Sequence, residues 1–200
     1  FRLVQGDVGC GKTIVAQISM YANQLAGYQS ALLAPTEILA RQHVKNMHKL
    51  GLEATLYVSS LAAKEKKEIL EKLENGKIFN VVGTHALFQE NVVFHNLGLV
   101  IADEQQRFGV KQRRSLLEKG KCVDFLMMSA TPIPRTYAHF LYGDMDISSI
   151  HTMPIGRKSV VTKYFKTASM APCLNDVLNF IKEGRQCYVV CPAIEENDEY

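Results

Sequence analysis

Long apolar runs are what this chain most plainly lacks. No stretch approaches the roughly 18 uninterrupted apolar residues that a bilayer-spanning helix needs, so no transmembrane helix is expected. Charge of one sign is also scarce. Twenty-three Lys and Arg against 20 Asp and Glu leave a net charge of +3, which permits a nucleic-acid partner without pointing to one. Cysteine is sparse and unpatterned: five residues (Cys10, Cys122, Cys173, Cys187, Cys191), with no C-x-x-C pair. A reduced, cytosolic compartment fits that usage better than a disulfide framework. Cys187 and Cys191 fall four residues apart on an expected strand and read as core thiols rather than metal ligands. No internal repeat or low-complexity tract is visible. An initiator Met and a signal peptide are both missing, the chain opens inside a strand and stops just after another, and it reads as a piece of a longer protein.

What is present begins at the first residue. The 200 residues suffice for a sizeable core and one or two domains. Leu3 and Val4 lead into Gly6-Asp7-Val8-Gly9-Cys10-Gly11-Lys12-Thr13, which satisfies G-x-x-x-x-G-K-[ST] at each fixed position. The glycines let the backbone curl so that successive N–H groups face phosphate oxygens, and the following helix presents its positive end. Lys12 would reach the outer phosphates, and the Thr13 hydroxyl would ligate a bridging Mg²⁺. The context that separates such a loop from an ordinary Gly-rich turn is a strand before it and a helix after it. Thr13 to Ala26 supplies that helix, with Ile14, Val15, Ile18, Tyr21, Ala22 and Leu25 near a 3.6-residue period and Gly27 placed as its stop.

Further on, strands are expected at Ser30–Ala34, Glu53–Val58, Ile78–Val82, Leu97–Ala102 and Asp124–Met128. Helices are expected from Thr36, a good cap, to about Leu50, over the charged stretch ending at Asn75-Gly76, over Lys111–Lys119, and from the Pro132 region to about Tyr142. Continuous apolar strands alternating with helices mean an α/β fold, a mostly parallel sheet with helices on both faces. Around Thr152 to Lys158 the composition shifts to Pro, Gly and two bases, as in a linker. Beyond it lie an expected strand (Ser159–Phe165), helix (Ala171–Lys182, stopped by Gly184) and strand (Gln186–Cys191). This single β-α-β unit is too short to bury a core alone.

A phosphate loop by itself serves kinases, GTPases, transporters and motors. The carboxylates Asp103 and Glu104, at the end of an apolar strand, narrow the choice. Ligands of an open α/β sheet sit outside the carboxyl ends of its strands, so this pair and the loop can share one Mg–nucleotide. Asp103 would hold the metal and Glu104 would orient or deprotonate the attacking water, which with Lys12 makes the catalytic set. Two acids closing a strand as solvated turn residues is the plainer alternative.

Taken together, GDVGCGKT, APTEILARQH (Ala34–His43), GTHALFQE (Gly83–Glu90), DEQQRFG (Asp103–Gly109) and SATPIPRT (Ser129–Thr136) resemble, in order and spacing, the motifs of superfamily 2 helicases. Within that group the chain is similar to the bacterial enzymes that remodel branched DNA, with the transcription-repair coupling translocases next. Gln105 favours the former; Gln106 stands where both usually carry His. The resemblance implies a RecA-like P-loop NTPase fold, with residues 1–152 as a first ATP-binding lobe, 153–158 as linker and 159–200 as the start of a second lobe. It implies ATP and Mg²⁺ as cofactors and a cytoplasmic enzyme, an ATP-dependent DNA helicase acting on double-stranded and branched DNA such as stalled forks and Holliday junctions. A second lobe and a wedge domain of the same full-length chain would be its partners, with no membrane. Pro35, Thr36, Arg41, His43, Thr84 and His85 match positions that touch the DNA backbone. Ser129, Ala130 and Thr131 match the element that couples the nucleotide site to movement, on a strand lying between those of the loop and the acidic pair. A translocase of the coupling-factor type and a non-catalytic nucleotide-binding module are the alternatives.

Overall fold

Short apolar runs, each closed by Gly, Pro or a polar turn, become the strands of one parallel sheet. The computed structural model describes residues 1–103, 116–131, 145–152, 160–165 and 170–190. In chain order the elements are β1 (Arg2–Gly6), α1 (Lys12–Leu25), β2 (Gln29–Leu33), α2 (Glu37–Lys49), β3 (Thr55–Tyr57), α3 (Ala63–Glu74), β4 (Asn80–Gly83), a 3₁₀ turn (His85–Phe88), β5 (Leu97–Asp103), β6 (Asp124–Ser129), β7 (Asp146–Ile150) and α4 (Ala171–Lys182). The expected Lys111–Lys119 helix lies outside the described residues but for its last turn, and the helix to Tyr142 and the 153–158 linker lie outside them altogether.

Neighbouring strands run in the order β3-β4-β2-β5-β6-β1-β7, every pair parallel. Successive side chains alternate between two apolar layers. Leu3, Leu33, Val81, Val100 and Met127 pack on one face with Leu73 of α3. Val4, Leu32, Val82, Ile101 and Met128 pack on the other with Met20 of α1 and Met47 of α2. Helices therefore cover both faces, as the continuous apolar strands require. Gln29 ties the start of β2 to the chain before β4 and before β5 from a buried position. Its amide nitrogen donates to the carbonyls of Leu73 (2.9 Å) and Ile78 (2.7 Å), and its oxygen accepts from the Asn96 amide (2.9 Å).

β4 packs closely on β3. A Cβ built on Gly83 would strike the Tyr57 carbonyl oxygen and lie 2.9 Å from Leu87 Cδ1. The obstacle is backbone held in a ladder, so it has little freedom to yield. Gly83→Ala is expected to cost about 3 kcal/mol, the upper part of the overpacking range, read as a lowered urea midpoint with unchanged slope.

Two findings depart from the sequence reading. Asp146–Ile150 forms an edge strand that apolar runs did not reveal, because Asp146, Ser148 and Ser149 break its pattern. It pairs with β1 in register from Arg2↔Asp146 to Gly6↔Ile150, helped by Arg2 to Asp146 (3.0 Å) and Gln5 to Ser149 (2.9 Å). Conversely, the strands expected at 159–165 and 186–191 do not form among the described residues 160–165 and 186–190. Val160, Val161 and Tyr164 are largely exposed, and Cys191 lies outside the described residues. A strand needs partners for its N–H and C=O groups, and no strand pairing is seen there among the described residues. The helix between them does form, over Ala171–Lys182, with Gly184 at φ 78° after its end. By contacts the chain divides into Phe1–Gly156 and Arg157–Tyr200.

Candidate nucleotide site and its neighbours

The loop between β1 and α1 is built by two glycines in the left-handed region, Gly9 at φ 81° and Gly11 at φ 100°, a conformation that costs other residues strain. Gly6 is constrained in another way, since a Cβ there would sit 2.6 Å from Cys10 Sγ and 2.9 Å from the Ile150 carbonyl oxygen. The turn is closed by Cys10 N–H donating to Asp7 O (3.2 Å) and Val8 N–H to the Asp7 carboxylate (2.6 Å). Lys12 folds back over it, its ammonium donating to the carbonyls of Gly6 (2.6 Å) and Asp7 (3.0 Å).

Gly11 is the N-cap of the 14-residue α1, and neither a side-chain cap nor an acid in the first turn satisfies the helix start. Its first N–H groups, the helix dipole and the Lys12 ammonium form a donor set that fits an anion. An open cleft of about 430 Å³ is lined by Gly9, Gly11, Lys12 and Thr13, with Asn46 and Lys49 of α2 among its other walls. Those two α2 residues carry no motif, and nothing in the sequence pointed to them.

At the carboxyl edge of the sheet, the register sets the rest of the site. β6 lies between β5 and β1; Asp103 is level with Met128, and Met128 with Val4. Asp103 therefore stands two strand spacings, roughly 10 Å, from the strand that feeds the loop, on the same edge of the sheet. Magnesium keeps several waters and takes few protein ligands besides substrate phosphate, so one hydroxyl (Thr13) and one carboxylate (Asp103) are a fitting set. Between them, buried Ser129 donates through Oγ to Thr131 O (3.1 Å) and accepts from Thr131 N–H (3.2 Å), which fixes the turn through Ala130. Glu104, Gln105, Gln106 and Arg135 lie outside the described residues.

The residues expected at DNA follow the adjacent strands β2 and β4, joined by Ala34 N–H to Gly83 O (2.8 Å), with Arg41 and His43 on α2. Thr36 caps α2, accepting from Leu39 N–H (3.3 Å). Pro35 is half-buried; Arg41 and His85 are exposed. Beside them Ser60 donates to Glu37 (2.6 Å), and that bond holds the Glu37 carboxyl below its ordinary range. Thr84 is buried, and among the described residues its hydroxyl has no hydrogen-bond partner. His43, on the same helix as Arg41, faces inward. It is buried, and its Nε2 lies 2.9 Å from Asp103 Oδ2.

Residues 2–140 match the family model for DEAD/DEAH box helicases. The chain belongs to that family. Among DEAD/DEAH box helicases it is similar to the ATP-dependent DNA helicase RecG of Staphylococcus aureus (strain NCTC 8325 / PS 47), at 52% identity over 98% of this chain and 29% of that protein. RecG of Staphylococcus epidermidis (strain RP62A) is likewise 52% identical over 98% of the chain. The chain thus spans under a third of the length of these relatives. Among solved structures, RecG bound to a three-way DNA junction superposes with a TM-score of 0.73 at 44% identity, covering 91% of this chain and 24% of that one. The helicase MrfA bound to DNA and AMPPNP superposes at 0.62 with 17% identity, covering 90% and 30%, a likeness of fold alone. Among the described residues no helix is long and apolar enough to cross a membrane.

Proposed function

We propose that residues 1–152 are the first RecA-like motor lobe of an ATP-dependent DNA helicase of the RecG type, a cytoplasmic enzyme that remodels branched DNA. Residues 159–200 would open its second lobe. The observation that carries this reading is the run β5-β6-β1, which sets Asp103, Ser129 and the Gly6–Thr13 loop side by side along one sheet edge. The kinship with a protein solved on a three-way DNA junction supports branched DNA as the substrate.

In this reading the loop N–H groups and Lys12 bind the outer phosphates of ATP, with Lys12 exchanging its carbonyl partners for phosphate oxygens. Thr13 and Asp103 hold the metal. Magnesium, when bound, neutralises charge developing on the transferred phosphoryl group. Glu104 orients or accepts a proton from the attacking water. The Ser129–Thr131 turn, on the strand between loop and acid, relays the change between the nucleotide and the moving lobe. Pro35, Thr36, Arg41, Thr84 and His85 would meet the DNA backbone through a helix N-terminus, exposed bases and a hydroxyl.

Hydrolysis needs the second lobe to close over the nucleotide. The full-length protein is therefore expected to hydrolyse ATP faster when given a three-way junction, whereas the isolated 200 residues bind nucleotide weakly and turn over little with or without DNA. A coupled ATPase assay on both, with and without junction, decides. Brisk turnover by the 200 residues alone, or a full-length enzyme indifferent to DNA, would sink the motor reading.

A further inference from the structure

We infer that His43 is a positioning residue for the metal-holding carboxylate, linking the strand ends assigned to DNA with those assigned to nucleotide. The inference rests on Asp103 being the metal ligand proposed above.

Along the sheet edge, β4 and β2 with the following helix α2 lead to the expected DNA residues, and β5, β6 and β1 to the nucleotide residues. The border falls between β2 and β5, where Leu33 pairs with Ala102. α2 starts at the β2 side of that border, capped by Thr36, and buries Ala40, His43 and Met47 on one stripe. Ala40 and Met47 pack in the apolar layer. His43 stands in the same stripe, where an imidazole is costly unless bonded. Its partner is Asp103, across the border. The carboxylate only accepts, so Nε2 carries the hydrogen and donates it to Oδ2 at 2.9 Å. Side-chain exposure is 8% for His43 and 17% for Asp103, so water competes poorly for this bond. A carboxylate pinned through one oxygen has its orientation set and keeps a second oxygen to offer a metal. Partners of this kind behind metal ligands typically carry 10–100-fold in metal affinity or activity.

α2 also makes the bond sensitive to its other end. A helix is stiff over the two turns from Thr36 to His43, so a shift of its N-terminus on DNA is carried to Asp103.

The test uses the full-length protein. His43→Gln keeps an amide donor the same number of bonds from Cα as imidazole Nε2. His43→Asn keeps the amide but is one bond short, and both are polar replacements of similar tolerance in the fold. Two quantities are read: the Mg²⁺ concentration for half-maximal ATPase, and the affinity of a fluorescent ADP analogue in Mg²⁺ and in EDTA. His43→Asn is expected to raise the Mg²⁺ requirement about 10–100-fold and to lose the Mg²⁺-dependent part of ADP affinity, with the EDTA value unchanged. His43→Gln should restore both to within a few-fold of the parent. Asp103→Asn, run alongside, must itself abolish the Mg²⁺ effect on ADP affinity. If it does not, the metal assignment of Asp103 fails. If it does, and His43→Asn matches the parent or Gln and Asn behave alike, the positioning role is overturned. A His43→Asn variant that loses junction affinity with its Mg²⁺ dependence intact overturns it too, and returns His43 to the DNA.

Discussion

Glu104→Gln in the full-length protein is expected to lower ATP turnover by about two to four orders of magnitude, with nucleotide affinity kept within a few-fold. The size follows from general-base catalysis, for which a positioned proton acceptor contributes about 10²–10⁴ in rate. An amide keeps the shape and a hydrogen bond but takes no proton. Affinity is retained because the groups assigned to binding are elsewhere: the loop amides, Lys12, Thr13 and Asp103. Glu104 immediately follows Asp103 in the chain, whose Cα is level with Met128 at the sheet edge shared with the loop. Steady-state ATPase on junction DNA gives the first number and equilibrium titration with a fluorescent ATP analogue the second. A nucleotide-binding switch that does not hydrolyse would respond weakly, so turnover within tenfold of the parent excludes the enzymatic reading.

Lys12→Ala is expected to weaken ATP binding by about 10–100-fold, in line with roughly 1.5–3 kcal/mol for a hydrogen bond to a charged group, and to lower turnover by a further 10²–10³-fold. Two effects combine here. The ammonium is the positive group of the loop, and it also braces the turn through Gly6 O and Asp7 O at 2.6 and 3.0 Å. Removing it leaves the first helical N–H groups as donors but takes away the charge proposed to pair with the outer phosphates. Lys12→Arg is not expected to rescue, because a planar fork does not replace a compact ammonium inside so tight a turn. Ligand-linked stabilisation reads the affinity independently of catalysis. At a fixed ATP concentration the parent gains RT ln(1 + [L]/Kd), and the variant gains correspondingly less. Equal thermal shifts for the two proteins would show that Lys12 is not at the phosphates.

Much of this was legible in the residues themselves, for local reasons. Gly9 and Gly11 announce a backbone other residues do not adopt readily, Thr36 announces a helix start it then caps at 3.3 Å, and Leu97 to Ala102 announces a strand covered on both faces. Each signal acts over a few residues, so a few residues suffice to read it. β7 escaped because an edge strand is held by hydrogen bonds to β1 and needs no apolar run. The strands expected beyond residue 158 are not seen among the described residues for the complementary reason: Val160 and Val161 have strand propensity, but propensity needs a neighbouring strand to pair the backbone.

By itself the amino-acid order determined that a phosphate loop heads a helix, that two carboxylates close a buried strand, and that an α/β sheet joins them. Tertiary structure alone decided that Asp146–Ile150 joins the sheet beside β1, that Asn46 and Lys49 wall the cleft, and that His43 meets Asp103, sixty residues away in the chain. Pattern and capping are energies between near neighbours in sequence. Strand order and the partner of a buried imidazole come from pairing and desolvation between residues that meet only once the chain has folded.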